Sequence, residues 1–349
     1  MDYTQLDIRL DQNMVKLVAE IDEFKGRWEA LKNLAPERLN KLRKVATIES
    51  IGSSTRIEGA KLTDAQVETL LTGLKTKSFQ SRDEQEVAGY AEAMDLVFQA
   101  WEDMPITENH IRQLHQTLLR HSTKDERHRG DYKTLDNHVV AFGPDGEEIG
   151  VVFATTSPFD TPREMEELVG WVHKAIREEA FHPLLIVAIF IVKFLAIHPF
   201  QDGNGRLSRV LTTLMLLRAG YAYVPYTSLE SVVEENKGQY YNEKALDDTP
   251  DWEPWIGFFL RALKKQTSIL EKRVEGEKEA QITTEELHPL SEQILELFET
   301  AKRLTVSEIV EHTNANRNTI KVRLRELVKS SHLNQHGKAR ATWYSIPKK

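Results

Sequence analysis

At 349 residues the chain exceeds one ordinary compact core and suits two or three domains. Its 40% apolar and 29% charged residues exclude a fibrous or largely disordered class, and the absence of cysteine excludes disulfides, thiolate metal sites and cysteine nucleophiles. The formal charge of −8 is uneven: residues 290–349 carry 11 Lys or Arg against 6 Asp or Glu, net +5, leaving −13 on residues 1–289, so the larger part is excluded as a general nucleic-acid binder and the basic tail is not.

The first residues, MDYTQLDIRLDQNMVKLVAEI, are acidic and amphipathic, without the basic start and apolar stretch of a secretory signal. The longest apolar run, residues 184–197, is interrupted by Lys193 and too short to span a bilayer. No membrane partner is implied, and the cytosol is the simplest location. Residues 11–50 place Met14, Leu17, Val18, Ile21, Phe24, Trp28 and Leu31 at helical spacing, then Pro36, then a second periodic run over 39–51, which predicts two helices. Residues 64–74, 82–100 and 107–119 repeat the pattern, the last with Thr107 as N-cap. Residues 139–142 and 149–153 flank Gly143-Pro144-Asp145-Gly146, which predicts a β-hairpin.

Helices are expected again over 162–179, 184–197, 206–218 (closed by Gly220) and from 252 to about 274. The stretch EGEKEAQITTEE that follows is polar, lacks apolar periodicity and reads as a linker. Beyond it, helices are expected over 290–300, 305–312 and 316–328, then two short extended pieces around His336-Gly337. Arg317, Lys321, Arg323 and Arg325 load the third of these helices with positive charge.

The chemistry concentrates in HPFQDGNGRLSR, residues 198–209. Pro199 disfavours helical geometry at His198, so the imidazole sits where one helix gives way to a loop. Gly203 and Gly205 flank Asn204 and let backbone N–H groups converge into an anion nest at the start of the next helix, for which phosphate oxygens are the natural ligand. Arg206 and Arg209, three residues apart, point from one face as guanidinium clamps. Asp202 supplies a carboxylate suited to Mg²⁺, which takes its remaining ligands from phosphates and water. A histidine base, a hard-metal carboxylate, an anion nest and two arginines are parts for nucleotidyl or phosphoryl transfer. No GxxxxGK[ST] or HExxH accompanies them, which excludes a Walker-type loop and a zincin.

The segment resembles the Fic family signature HxFx[DE]GNGRxxR, matching at His198, Phe200, Asp202, Gly203, Asn204, Gly205, Arg206 and Arg209 without departure, and the resemblance covers residues 50–260. It implies a protein adenylyltransferase that moves AMP from ATP to a Ser, Thr or Tyr hydroxyl of a target protein. His198 would be the base, Asp202 would hold Mg²⁺, Phe200 would anchor the loop, Gly203, Asn204, Gly205 and Arg206 would cradle phosphates, and Arg209 would grip the γ-phosphate. Residues 139–153 would be a flap that pairs with an extended target segment, and Tyr240 and Tyr241, beside Asn242, would wall the adenine. Ser54-Thr55-Arg56-Ile57-Glu58-Gly59 fits the family's inhibitory motif [ST]xxxE[GN], with Glu58 pairing Arg209 and Gly59 ending the helix. Two alternatives use the same site: removal of AMP from targets with Glu58 positioning water, and a nucleotide-sensing domain in a DNA-binding regulator.

The expected fold is mainly α, a Fic helical core with a β-hairpin flap. Residues 1–110 form a helical region with the inhibitory helix, 111–275 the catalytic core, 276–289 a linker and 290–349 a unit that resembles a winged helix. In such a unit the third helix enters the DNA major groove and a wing, here 333–346, contacts backbone. The same modules also serve dimerisation or protein docking, so a second copy of this chain is an alternative partner to DNA.

Overall fold

The computed structural model describes residues 8–31, 36–73, 79, 81–137, 139–142, 148–153, 155–243, 252–285, 289–313, 315–329, 332–337 and 342–346. The described residues are mainly helical and divide into two compact units, 1–273 and 274–349. No division falls at 110/111, because helices on both sides of it share one core.

In the first unit α1 (Gln12–Leu31), α2 (Pro36–Ile57), α3 (Asp64–Thr72), α4 (Arg82–Ala100) and α5 (Glu108–Leu118) precede a hairpin of β1 (Val139–Phe142) and β2 (Glu148–Phe153). There follow α6 (Thr161–Arg177), α7 (Pro183–Ile197), α8 (Asn204–Arg218), the short α9 (Leu229–Glu235) and α10 (Lys237–Glu243), and α11 (Trp252–Glu285). Local chemistry sets the starts. Thr63 and Gln66, and Ser81 and Glu84, form reciprocal capping boxes, and Thr107 accepts from the His110 N–H as expected. The strands pair antiparallel with Val139 opposite Phe153 and Ala141 opposite Gly150. The turn expected at Gly143 to Gly146 lies outside the described residues.

The core is built around α7, in which 12 of 15 residues are buried. Its sequence shows no polar face because it has no solvent face: α6 and α8 pack against it, and the Trp255 indole N–H donates to the Ala188 carbonyl at 2.7 Å. α2 runs beyond the predicted end at 51 to Ile57 and closes in a Schellman arrangement, with Gly59 N–H on the Arg56 carbonyl and Ala60 N–H on the Thr55 carbonyl. That ending needs a left-handed residue, and Gly59 supplies it with φ of 104°. Glu58 is thereby held one residue past the last helical position rather than on a continuing helical face.

The expected linker is a correction. α11 stays helical to Glu285, through most of 276–289. Glu, Lys, Ala and Gln there are good helix formers, so the polarity of the stretch does not mark the lack of a helix.

In the second unit α12 (Pro289–Thr300), β3 (Leu304–Thr305), α13 (Val306–Thr313), α14 (Arg317–Lys329), β4 (Asn334–His336) and β5 (Trp343–Ser345) enclose a core that includes Ile294, Phe298, Ile309, Ile320, Leu324 and Tyr344. The strands form an antiparallel sheet in the order β3-β5-β4. β3 was not legible in the sequence: two residues are too few for alternation, and Thr305 already serves as the cap of α13 through Glu308.

Candidate functional site

His198 ends α7 in the left-handed region, with φ of 52° and ψ of 59°. A non-glycine residue is strained there, and the strain is held by two bonds back into the helix: its N–H to the Phe194 carbonyl at 2.9 Å and its Nδ1–H to the Leu195 carbonyl at 3.1 Å. Because a carbonyl only accepts, the second bond puts the proton on Nδ1 and leaves Nε2 as the basic nitrogen. Pro199 removes the next donor and turns the chain. The loop is then closed by Asn204, whose side chain accepts from the Phe200 N–H at 2.9 Å and donates to the Phe200 carbonyl at 2.7 Å. Asn204 therefore serves as a strut inside the loop, 1% exposed, and not as a surface ligand.

Gly203 precedes α8 with φ of 82°, which a side chain would strain. The first-turn N–H groups of α8 are donors without intrahelical partners, the usual basis of an anion site. Asp202 stands beside this turn, with Oδ1 accepting from the Gly203 N–H at 2.6 Å and Arg206 Nη2 at 3.3 Å, and Oδ2 from Lys124 Nζ at 3.2 Å. Burial raises the cost of its charge, but Arg206, Lys124 and the Gly203 N–H outweigh it and hold the carboxyl below its ordinary pKa. A single ionised carboxylate on a nest of N–H groups fits a magnesium ion that arrives with phosphate ligands. No cluster of three His, Asp or Glu that would hold a metal by itself occurs among the described residues.

The two arginines have different surroundings. Arg206 is 2% exposed, pairs through Nη1 with Glu86 and through Nη2 with Asp202, each at 3.3 Å, and keeps Nε without a hydrogen-bond acceptor among the described residues. A guanidinium with an unspent donor beside an anion nest fits an additional oxyanion. Arg209 is fully engaged: Nε donates to Ser54 Oγ at 2.8 Å, and Nη2 to the Ser54 carbonyl at 3.0 Å and Glu58 Oε1 at 2.8 Å. Burial opposes its charge, and the Glu58 carboxylate together with the neighbouring Tyr240 and Tyr90 hydroxyls outweighs this and raises the guanidinium pKa. The same carboxylate lies against Gly205, where a Cβ would fall 2.3 Å from Oε1. Gly205 is helical, so its lack of a side chain serves close approach of Glu58 rather than an unusual φ.

The end of α2 is fastened from the other side. Arg56 makes two bonds to Glu234 on α9, at 2.7 and 3.0 Å, and one to Asp64 at 2.8 Å. Tyr90 donates to Glu230 at 2.9 Å and also meets Ser54.

Tyr240 does not line a cleft. It is 3% exposed, its ring packs on Trp255 and Phe258 about 6 Å away, and its hydroxyl meets Ser208 and Arg209. The side chain of Tyr241 lies outside the described residues, as do those of the hairpin strands.

Sequence reasoning missed His115. The ring is fully buried and stacked on Phe200 at 3.8 Å; Nδ1 accepts from the Gly130 N–H at 2.8 Å, so Nε2 carries the proton it donates to the Asp202 carbonyl at 2.9 Å. Burial pushes its pKa down to about 4, so it is neutral. The available signal was a titratable residue among Ile111, Leu114 and Leu118 on the apolar face of α5. Glu86 and Lys124 were missed because no local pattern marks them.

Residues 105–216 match the Fic/DOC family model. The protein adenylyltransferase Fic of Drosophila grimshawi is 28% identical over 254 residues, covering 72% of this chain and 48% of that protein, so the chain spans about half the length of the curated relatives it matches. A crystal structure of a Fic family protein from Desulfovibrio desulfuricans G20 is similar over 99% of both chains, with TM-score 0.65 and 25% identity. One of a Fic domain containing signaling protein from Bacteroides thetaiotaomicron VPI-5482 covers 74% of this chain and 97% of its own, with TM-score 0.60 and 25% identity. With the complete signature seated on α7 and α8, residues 105–216 are a Fic domain.

Proposed function

We propose that the chain is a protein adenylyltransferase held inactive by its own Glu58. The observation that carries this reading is the placement of the Glu58 carboxylate, bonded to Arg209 and seated against Gly205 at the start of α8. A γ-phosphate bound there meets a carboxylate in place of a free guanidinium.

In the active form, ATP binds with its phosphates on the α8 nest and Arg206. Asp202 would hold Mg²⁺, which supplies charge neutralisation on the phosphates. The oxygen of a target hydroxyl attacks the α-phosphorus, the bond to pyrophosphate breaks, and the hydroxyl proton passes to His198 Nε2. Arg209 aligns the chain of phosphates by gripping the γ-phosphate, and the hairpin 139–153 presents the target segment. The curated relatives carry the name protein adenylyltransferase, which agrees with this reading.

The test is label from α-phosphate-labelled ATP incorporated into the chain and into lysate proteins. Glu58→Gly is expected to raise the rate about 10²-fold, since sub-ångström to ångström alignment is worth that much, and Glu58→Gly with Arg209→Ala is expected to lose the gain. If Glu58→Gly is no faster than the unaltered chain, the inhibitory reading fails and the removal of AMP, with Glu58 positioning water, takes its place.

A second activity rests on a separate observation. Arg317, Asn318, Lys321, Val322 and Arg325 are exposed on α14 while Ile320, Leu324 and Leu327 are buried, so the helix turns a basic face to solvent. Followed by the antiparallel pair β4 and β5, this supports the reading of a winged helix that lays its third helix in a DNA groove. A duplex-DNA mobility shift that weakens steeply with salt supports it; dimerisation of the chain without such a shift supports a docking module instead.

A further inference from the structure

The carbonyls at the end of α7 are all accounted for, and the accounting leads away from the site. Phe194 and Leu195 are capped by His198 itself. The Ala196 carbonyl accepts from the Thr156 N–H at 3.4 Å, and the Ile197 carbonyl from Lys133 Nζ at 3.1 Å. Past the turn, the Pro199 carbonyl accepts from the Lys133 N–H at 2.8 Å and the Phe200 carbonyl from Asn137 Nδ2 at 2.7 Å.

Lys133 is 3% exposed, and the hydrogen-bond acceptors of its ammonium among the described residues are uncharged. Its three ammonium protons go to Ile197 O, to Asn137 Oδ1 at 2.8 Å and to Thr155 Oγ1 at 2.9 Å. Thr155 in turn donates to the Asn137 carbonyl. Asn137 and Thr155 are the two stems of the hairpin, just before β1 and just after β2. One buried cation thus ties both stems to each other and to the carbonyl immediately before His198. The position suits a cation, because the C-terminal end of α7 carries the negative end of the helix dipole. Burying an ammonium with no carboxylate in contact is costly, and burial here pulls the pKa down to about 8 against the opposing pull of the more distant Asp136 and Glu164 carboxylates.

We infer that Lys133 is a positioning residue that sets the hairpin 139–153 in register with His198, so that a hydroxyl presented on the hairpin reaches Nε2. The inference rests on the adenylyltransferase reading. Lys133 touches neither the nucleotide contacts nor the base directly, and His198 keeps both of its own bonds into α7 without it. Its loss therefore separates two reactions that share the base. Transfer of AMP to a protein hydroxyl needs the hairpin; attack of water on the α-phosphorus of ATP, which releases AMP and pyrophosphate, does not.

The test uses the full chain with Glu58→Gly as parent, and Lys133→Met, which keeps length and removes the donors. Transfer to protein is expected to fall about 10²-fold in kcat, with KM for ATP and the rate of ATP hydrolysis to AMP within about twofold of the parent. Hydrogen exchange at the Thr156 amide, read by NMR in the same chain, is expected to speed up because the bond to the Ala196 carbonyl loses its neighbour. Thr155→Val, which removes one acceptor and is the milder change, is expected to shift all readouts in the same direction by less. Protein transfer at the parental rate overturns the inference, and so does a fall in hydrolysis and ATP affinity in step with transfer. An inactive parent overturns the adenylyltransferase reading instead, and Thr156 exchange then decides whether the tether exists.

Discussion

The turn between α7 and α8 and the exposed face of α14 both carry arginines, and they treat charge in opposite ways. At the turn, Arg206 and Arg209 are 2% and 5% exposed and are held by carboxylates and a serine carried on other helices. On α14, Arg317, Lys321 and Arg325 face water. A buried guanidinium has lost its hydration and is stable only where its partners are fixed, so its position is defined to a fraction of an ångström. An exposed one costs little, contributes little alone and acts through the summed field of its neighbours. The first arrangement suits alignment of one ligand; the second suits attraction of an extended polyanion.

The contrast is broken most strongly at the base. His198→Ala is expected to lower AMP transfer by about 10² to 10⁴ while ATP affinity, measured by titration calorimetry, stays near that of the unaltered chain. Unchanged transfer would remove His198 from its assigned role.

Next is the cost of the buried charges. Arg206→Ala leaves Glu86, 7% exposed, with Arg82 as its remaining cation and Asp202 without its arginine, and is expected to cost about 1 to 3 kcal/mol in denaturant unfolding of the first unit. Lys321→Ala on α14 is expected to change stability by less than about 0.5 kcal/mol. Similar costs for the two would erase the distinction between them.

A pH series sharpens the turn further. His115 has a folded pKa of about 4 against an ordinary value near 6.5, so the unfolded chain binds the proton first. The sign follows: stability is intact above pH 6.5, declines as the pH falls from 6.5 toward 4, and loses on the order of 3 kcal/mol in all. His115→Asn removes this component while carboxylate titration remains. Parallel pH curves for the two proteins would show that the imidazole is not held neutral.

The smallest effect lies on α14. Each phosphate contact removed there should reduce the slope of log affinity against log salt by about 1, so Lys321→Ala and Arg325→Ala together are expected to lower it by about 2, with little change in folding. A flat salt dependence in the unaltered chain would remove DNA as the partner.

The sequence alone determined what is encoded over short separations. Residues 198–209 gave the loop, its two glycines and its two arginines, and the helical periods placed the starts of the main helices of the first unit to within a few residues, because capping, turn formation and amphipathic spacing act over one to four positions. The failures were also local: helix-forming polar residues near 280 read as a linker, and β3 was too short to alternate. Only the tertiary structure decided which charge meets which. Arg206 with Glu86, His115 with Asp202 and Lys133 with Ile197 join residues 64 to 120 positions apart, and no spacing along the chain encodes them. Glu58 with Arg209 entered through a family resemblance, not through a pattern, and the structure added that its carboxylate reaches Gly205 as well. The physical reason is that such pairs depend on how α2, α4, α5 and α8 pack, which is set by the shape of many apolar side chains together and by no one residue's neighbours in sequence.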